Sequence, residues 1–527
     1  MGKNIENILA RRRAEREREA SQLKTQGNGT DNAVPENDEY LTVEGIKADI
    51  KRTIANTNNV HCVTLSACEG ENGVKYLPTH QSILNELVSQ LRPIDFREKV
   101  NLDDKAKVAR KLYVVVCIEE ILNKAKDNNW GLCTKNGFIY IFNGMYWQPI
   151  NAEDFKTFLS NAAIKMGVPP IDAKYHAFRD ELFKQFIASG NLTTPDSKGK
   201  VVINLLNGTF EFTDGNFALR SPQREDFIKY QLPFEYDPDA DYTFFDNYIK
   251  RVLPDEDCRK ILAEFIGYIF VNNLKLEKAL LLYGSGANGK SVFFDIINAL
   301  LGNENVCSYS LQNLTKHDGY QRAELSNKLL NYASEINGRL ETSIFKQLVS
   351  GEPVEARQIY GSPFMMHDYA KMMFNCNELP KEVEQTNAYF RRFIIIPFSQ
   401  TIPESEQDPN LAKKIIEDEL SGVFNWVLDG LKRLLVQKKF TQSTIVNEQL
   451  ERYKRETDSV AMFIDDSGFK KDDKQTVSLK DFYDQYKEYC KDNGYRICSS
   501  RTFSERIHNI GFEKHRRNQG YVFFARK

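Results

Sequence analysis

Residues 278–291 read KALLLYGSGANGKS, and their interpretation decides the fold. Within them Gly284-Ser285-Gly286-Ala287-Asn288-Gly289-Lys290-Ser291 sets a glycine, four residues, then Gly-Lys-Ser, the spacing of a phosphate-binding loop. The run before it, Lys278 to Tyr283, is short and apolar, as a buried parallel strand requires. The run after it, Val292 to Leu301 (VFFDIINALL), repeats apolar residues at helical spacing. The glycines therefore sit on a strand-to-helix turn. They let the backbone close around phosphates and aim N–H groups at them, with the positive end of the helix dipole behind. Lys290 then reaches the β- and γ-phosphates, and the Ser291 hydroxyl completes a Mg²⁺ site. ATP with Mg²⁺ is the expected ligand.

Composition bounds the rest. A chain of 527 residues exceeds the roughly 250–300 that one core supports, so about three or four domains are expected. The net charge of -2 leaves any nucleic-acid contact to local basic patches. Without a long apolar run or a signal-like start, the expectation is a cytoplasmic protein with no membrane partner. The nine cysteines, among them Cys62, Cys117, Cys376 and Cys498, form no CxxC pair, which argues against a zinc ribbon or a disulfide framework. Glu6 stands where a myristoylated Met-Gly start needs Ser or Thr.

The chain divides by pattern. Residues 1–39 are a charged arm, with Arg11, Arg12 and Arg13 among i,i+4 Glu/Arg pairs, followed by a flexible linker. Residues 40–235 are expected to form an N-terminal α+β domain. They contain a helix over 102–127 with Val108, Leu112, Val115, Val116, Ile121 and Leu122 on its apolar stripe. Two strands surround Asn143-Gly144, with Tyr140, Phe142, Tyr146 and Trp147 on a packed face, and short strands turn at Asn207-Gly208 and Asp214-Gly215. Residues 236–275 read as a connector and a helical pair broken at Pro254. Asp237, Asp239 and Asp241 there suit a solvated linker better than a metal cluster.

Residues 276–405 carry the chemistry. The buried-strand pattern Lys328 to Ala333 ends at Ser334-Glu335. A carboxylate at such a tip can hold Mg²⁺ through water and polarise an attacking water, so Glu335 is the general-base candidate. A third strand, Ala370 to Phe374, ends at Asn375-Cys376-Asn377; Asn377 is the chosen amide for the γ-phosphate or lytic water. Arg391 and Arg392 precede a fourth strand, Phe393 to Phe398, where a guanidinium can act in trans on a neighbour's γ-phosphate.

Together the glycine loop, the strand ending Ser334-Glu335, KQLVSGEPVEAR (346–357), NCNELP and YFRRFIIIPF resemble a superfamily 3 helicase. The likeness is to the D5-like and phage P4-like branch of phages, plasmids and mobile genomic islands. INLLNGTFEF, YDPDAD and LAEFIGYIF match the domain that precedes the ATPase there, so the resemblance spans about residues 110–400. It implies an AAA+-type core, a hexameric homo-oligomer and unwinding of DNA from 3′ to 5′. By the same resemblance Gly284, Gly289, Lys290 and Ser291 are Walker A residues, Glu335 the Walker B carboxylate, Asn377 the sensor and Arg391 or Arg392 the arginine finger. The block from Lys346 to Pro363 becomes a β-hairpin facing the ring channel, with Lys346, Arg357 and Tyr360 as contacts to single-stranded DNA. Ser334 departs from the Asp that many P-loop enzymes carry, which shifts the Mg²⁺ onto Ser291 and Glu335. Residues 1–110 lack the paired-aspartate and histidine pattern of a primase. The alternative function is an ATP-switched DNA-binding initiator that does not unwind processively.

Residues 406–457 are helical, with Trp426, Leu428, Leu431 and Leu434 as core candidates. Residues 458–527 begin with a connector (458–475) and then read helix (Leu479 to Asp492), helix (Ser499 to Ile510) and a two-stranded wing from Phe512 to Phe524. This is winged-helix organisation, made basic by Arg501, Arg506, His508, Lys514, His515, Arg516 and Arg517, and suited to duplex or origin DNA. The expected fold is thus multidomain α/β: an AAA+-type P-loop core, an N-terminal α+β domain and a C-terminal winged helix.

Overall fold

The computed structural model describes residues 68–69, 75–76, 80–99, 101, 107–128, 130–135, 138–190, 200–213, 216–334, 336, 340–358, 363–380, 384–518 and 520–527. Arg11 to Arg13, Glu335 and Tyr360 lie outside them. The first elements are strands β1 (Cys68–Glu69) and β2 (Lys75–Tyr76) and helices α1 (His80–Gln90), α2 (Phe96–Lys99) and α3 (Arg110–Asp127). Helix α3 buries Val114, Val116, Cys117, Ile118, Ile121 and Ala125; of the expected stripe only Val116 and Ile121 are among them, Leu112, Val115 and Leu122 being half-buried and Val108 preceding the helix. Strands β3 (Gly131–Lys135), β4 (Phe138–Phe142) and β5 (Trp147–Ile150) form an antiparallel meander. Its Asn143-Gly144 turn is built as expected: Asn143 Oδ1 accepts the N–H groups of Met145 and Tyr146, each at 3.0 Å. Tyr140, Phe142 and Trp147 face inward in a cluster with Phe227, which makes them core residues. Strand β3 was not anticipated, because GLCTK is buried without alternation. A Cβ at Gly131 would come within 2.3 Å of the Trp147 ring.

Helices α4 (Ala152–Lys165), α5 (Pro170–Lys174) and α6 (His176–Ser189) complete the N-terminal core. A second meander follows, β6 (Val201–Leu205), β7 (Gly208–Thr213) and β8 (Asn216–Arg220). Helices α7 (Thr243–Val252) and α8 (Glu256–Tyr268) flank Pro254 as expected. The Asp237 N–H is bound by Ser421 Oγ at 2.8 Å, and no metal-holding His, Cys, Asp or Glu group exists among the described residues.

Strand β9 (Ala279–Tyr283) leads through the glycine loop into α9 (Lys290–Leu301). After it come β10 (Val306–Cys307), α10 (Leu311–Leu314), α11 (Tyr320–Ala323), β11 (Leu330–Ala333) and α12 (Thr342–Ser350). An antiparallel hairpin of β12 (Val354–Arg357) and β13 (Pro363–Met366) precedes β14 (Lys371–Cys376), α13 (Asn387–Phe390) and β15 (Phe393–Pro397). Five of these strands make a parallel sheet in the order β10-β11-β14-β9-β15. Both its faces are covered, which is why its central strands read as continuous apolar runs.

Helices α14 (Leu411–Asp418), α15 (Leu420–Gln437) and α16 (Thr444–Thr457) follow. Helices α7, α8 and α15 share one apolar core with α9 and the sheet. Helix α15 crosses α8 so closely that a Cβ at Gly430 would lie 2.4 Å from the Ala263 carbonyl carbon. Glu264, fully buried on α8, accepts Arg433 Nε at 2.6 Å and the Thr441 N–H at 2.8 Å, so its charge is matched where water is excluded.

The last unit has its own core, built from α17 (Ser459–Ser467), β16 (Lys470–Ser478), α18 (Leu479–Asp492), α19 (Ser500–Asn509), β17 (Lys514–Arg517) and β18 (Gly520–Arg526). Its sheet runs β16-β18-β17. The expected connector at 458–475 is instead a helix and most of a strand, because Val460, Phe463, Ile464 and Phe469 pack inward beneath acidic and basic neighbours. Ser499 Oγ accepts the Thr502 N–H at 3.1 Å and so caps α19, one of the two expected caps. No described helix is long and apolar enough to cross a membrane.

One half-buried lysine yields a pH test. Lys371 Nζ lies 4.3 Å from the Tyr268 ring centroid, and burial, with Lys275 nearby, pulls its pKa down to about 8. A lysine whose folded pKa is depressed costs stability at neutral pH, and the cost fades as pH rises through the folded value. Lys371→Met is expected to raise the melting temperature at pH 7 and to lose most of that gain near pH 10. An equal gain at both pH values would contradict this.

Candidate nucleotide and nucleic-acid sites

The glycine loop starts at the C-terminal edge of the parallel sheet. Gly284 N–H donates to the Cys376 carbonyl at 3.1 Å, which sets the loop beside the end of β14. A Cβ at Gly284 would lie 2.3 Å from Asn288 Nδ2 and 2.4 Å from the Phe398 oxygen. Gly286, Ala287 and Gly289 have φ of 105°, 49° and 87°, left-handed values that curl the backbone. Ser285 and Ala287 are exposed, and a Cβ at Gly286 would meet nothing within 4 Å. Asn288 is buried, its Nδ2 donating to the Phe398 carbonyl at 2.9 Å. Lys290 lies across its own loop, donating to the Gly284 carbonyl at 2.6 Å and to Asn288 Oδ1 at 2.9 Å. Burial holds its pKa below the usual lysine value, and both acceptors are neutral. Gly289 gives α9 no side-chain cap, so the first-turn N–H groups remain available to an anion, with the Ser291 hydroxyl exposed beside them.

Two asparagines end β14, and the structure separates them. Asn375 is 7% exposed; it accepts the Tyr332 hydroxyl at 2.9 Å and donates to the Lys290 carbonyl at 3.4 Å. Asn377 is exposed just past the strand, where Cys376 pairs with Tyr283 at the mouth of the loop. Across β14, Ala333 pairs with Phe374 and Ser334 follows it, exposed.

The two arginines differ as sharply. Arg392 is 7% exposed and donates to Ser350 Oγ at 2.9 Å and to the Ala388 carbonyl. The Arg391 side chain is 56% exposed and pairs with Glu277 at 2.8 Å. Both stand at the N-terminal end of β15, where the Arg392 carbonyl accepts the Ala279 N–H at 2.8 Å. The glycine loop stands at the other end of β9. A five-residue strand separates them by about 16 Å, so Arg391 and the loop of its own chain occupy opposite edges of one sheet.

Arg357 ends β12, exposed, with its guanidinium 5.9 Å from the Tyr320 ring centroid. Lys346 sits on α12 and is held by both carboxylate oxygens of Glu384 at 2.8 Å. Sequence reasoning passed over Arg322 on α11, 4% exposed, which donates to the Glu355 carbonyl of β12 at 2.9 Å and to the Leu314 carbonyl at 3.0 Å. On the other side Phe364 of β13 meets Phe138 of β4 edge to face at 5.8 Å, so the hairpin base is gripped from both sides. In the C-terminal unit, Arg501 is exposed and pairs with Glu505 at 3.1 Å, and Arg506 pairs with Asp458 at 3.3 Å. Lys514 lies 4.0 Å over the Tyr521 ring, and Arg516 and Arg517 are exposed on the same strand, β17.

Comparison with known proteins gives three family matches in chain order. Residues 119–254 match the description "D5 N terminal like", residues 282–392 a family of unknown function, and residues 455–524 "Poxvirus D5 protein-like". A protein provisionally named a helicase in Acanthamoeba polyphaga mimivirus is 24% identical over 320 residues, covering 55% of this chain and 33% of its own length. Another so named, in Invertebrate iridescent virus 3, is 22% identical over 336 residues, covering 55% of this chain and 35% of its own. The chain therefore spans about a third of the length of these relatives. Among solved structures, the C-terminal region of NrS-1 aligns with 78% of this chain and 99% of that one, at 12% identity and a TM-score of 0.44. D5-type segments thus lie before and after the glycine loop, and the viral relatives that this chain resembles are named as helicases.

Proposed function

We propose that the chain is an ATP-driven DNA helicase that works as a hexameric ring of AAA+-type subunits, moves 3′ to 5′ and serves replication of a phage or mobile element. The carrying observation is the pair of opposite sheet edges: an open, uncapped phosphate loop at one, and exposed Arg391 at the other. An arginine so placed serves a γ-phosphate only on a neighbouring copy, which calls for a head-to-tail assembly. The sheet order, with β14 between the loop strand β9 and β11, supports an AAA+-type core, since Asn377 follows the strand that pairs directly with the one leading into the loop.

In this reading ATP phosphates take N–H groups from residues 285–291, and Lys290 exchanges its neutral acceptors for phosphate oxygens. Ser291 and Glu335 are oxygen donors of the kind Mg²⁺ accepts, and the ion would neutralise phosphate charge. Glu335 orients and deprotonates the attacking water, Asn377 holds it or the γ-phosphate, and Arg391 leaves Glu277 for the partner's nucleotide. Arg357, at the end of β12, and Tyr360 would then contact the DNA strand together with Lys346, as a phosphate contact and a stacking surface. A winged-helix reading of the C-terminal unit gives Arg501, Arg506, Lys514, Arg516 and Arg517 to duplex or origin DNA.

The arginine pair is expected to split. Arg391→Ala should leave ATP binding and melting temperature intact and slow hydrolysis on the order of 10³-fold. Arg392→Ala should cost about 2–3 kcal/mol of stability, because it strips buried acceptors of their donor. Both readouts come from one melting and one ATPase series. Strand separation on forked DNA, lost in Lys290→Ala, tests the activity itself; hydrolysis stimulated by DNA without any separation would instead mark a nucleotide-switched initiator.

A further inference from the structure

We propose that Tyr248 is a positioning residue for the phosphate loop, through which the D5 N terminal like segment responds to bound nucleotide. This rests on the phosphate-loop reading above. Tyr248 lies on α7, 5% exposed, and its hydroxyl donates to the Gly289 carbonyl at 2.8 Å. Contact there is tight: a Cβ at Gly289 would meet Val252 Cγ1 at 2.6 Å and Tyr248 Cε2 at 3.1 Å. A trans peptide sets the carbonyl of one residue and the N–H of the next on opposite sides. Holding the Gly289 carbonyl toward α7 therefore turns the Lys290 N–H away from it, toward the open side of the loop. The same carbonyl accepts the Phe293 N–H at 3.1 Å, so the phenol acts on the first turn of α9.

Helix α7 is itself fixed in place. Its start has no side-chain cap of its own, and Glu419, 5% exposed, supplies one by accepting the N–H groups of Phe244 and Phe245, each at 2.8 Å. On the far side of the loop, the Ile402 N–H donates to the Ala287 carbonyl at 2.8 Å. The loop is thus gripped by two segments that lie outside it in sequence. Tyr248 and Val252 fall inside the match at 119–254, whereas the loop falls beyond it. Closure of the loop on nucleotide accordingly loads a helix of the upstream module.

The test uses the full chain and titrates MgATP into wild type, Tyr248→Phe, Val252→Ala and Lys290→Ala, with melting temperatures alongside. Tyr248→Phe is expected to raise the Kd about tenfold, the effect of one hydrogen bond to a preorganised site, and to change kcat at saturating ATP less than about twofold. Val252→Ala, which keeps the phenol bond, is expected to lower the melting temperature and leave the Kd near wild type. In wild type, MgATP is expected to slow amide hydrogen exchange in α7. An unchanged Kd in Tyr248→Phe, an equal Kd rise in Val252→Ala, or exchange in α7 that ignores ATP would each overturn the proposal. If Lys290→Ala binds MgATP like wild type, the phosphate-loop reading itself falls, whatever Tyr248→Phe does.

Discussion

Position 284 has no room for a side chain, because Asn288 and the Phe398 carbonyl fill the space a Cβ would need. That crowding is what ties the loop to the sheet. Asn288 bonds to the residue just beyond β15, Gly284 to the last residue of β14, and Tyr283 pairs with both strands. The loop is therefore rigidly mounted where three parallel strands end. At the other edge, the strand β15 that braces it is preceded directly by Arg391 and Arg392. In the function proposed above, one sheet would carry the two halves of a composite site and keep them apart within a chain.

Around this sheet the elements are locked by a few buried charges. Glu264 with Arg433 joins α8 to α15, Glu419 caps α7 from α15's leading edge, and Arg322 holds the hairpin through backbone carbonyls. Charges out of water are tolerable only when their hydrogen bonds are satisfied, and removing one partner leaves the other stranded, at about 3–5 kcal/mol. Such contacts specify orientation more than they add stability. They let the upstream helices, the loop and the hairpin share one frame, as the proposed coupling of hydrolysis to movement would require.

The central strands were legible because burial on both faces leaves an apolar run that few other structures explain, and because the glycine spacing admits one backbone solution. Strand β10, only Val306–Cys307, and β3 carried too little pattern to find. At 458–475 the turn-like run Asp465-Asp466-Ser467-Gly468 hid the inward-facing Phe463 and Phe469 on either side of it. The difference between Arg391 and Arg392 is one of burial, to which adjacent identical letters give no clue. Asn375 and Asn377 share strand parity, and only the end of β14 at Cys376 separates a buried bridge from an exposed amide. Tyr248, Arg322 and Glu419 escaped notice because their partners lie 41, 33 and 174 residues away.

The proposed division of the site between copies can be tested by complementation. Lys290→Ala subunits retain Arg391 but lack the phosphate contact, whereas Arg391→Ala subunits have the reverse. An equal mixture rebuilds a complete site at about a quarter of the interfaces of a head-to-tail ring. ATP hydrolysis in the mixture should therefore rise toward that fraction of the wild-type rate while each variant alone stays inactive. A mixture as inactive as its components, or an Arg391→Ala protein that hydrolyses ATP at the full rate by itself, would contradict a site shared between subunits.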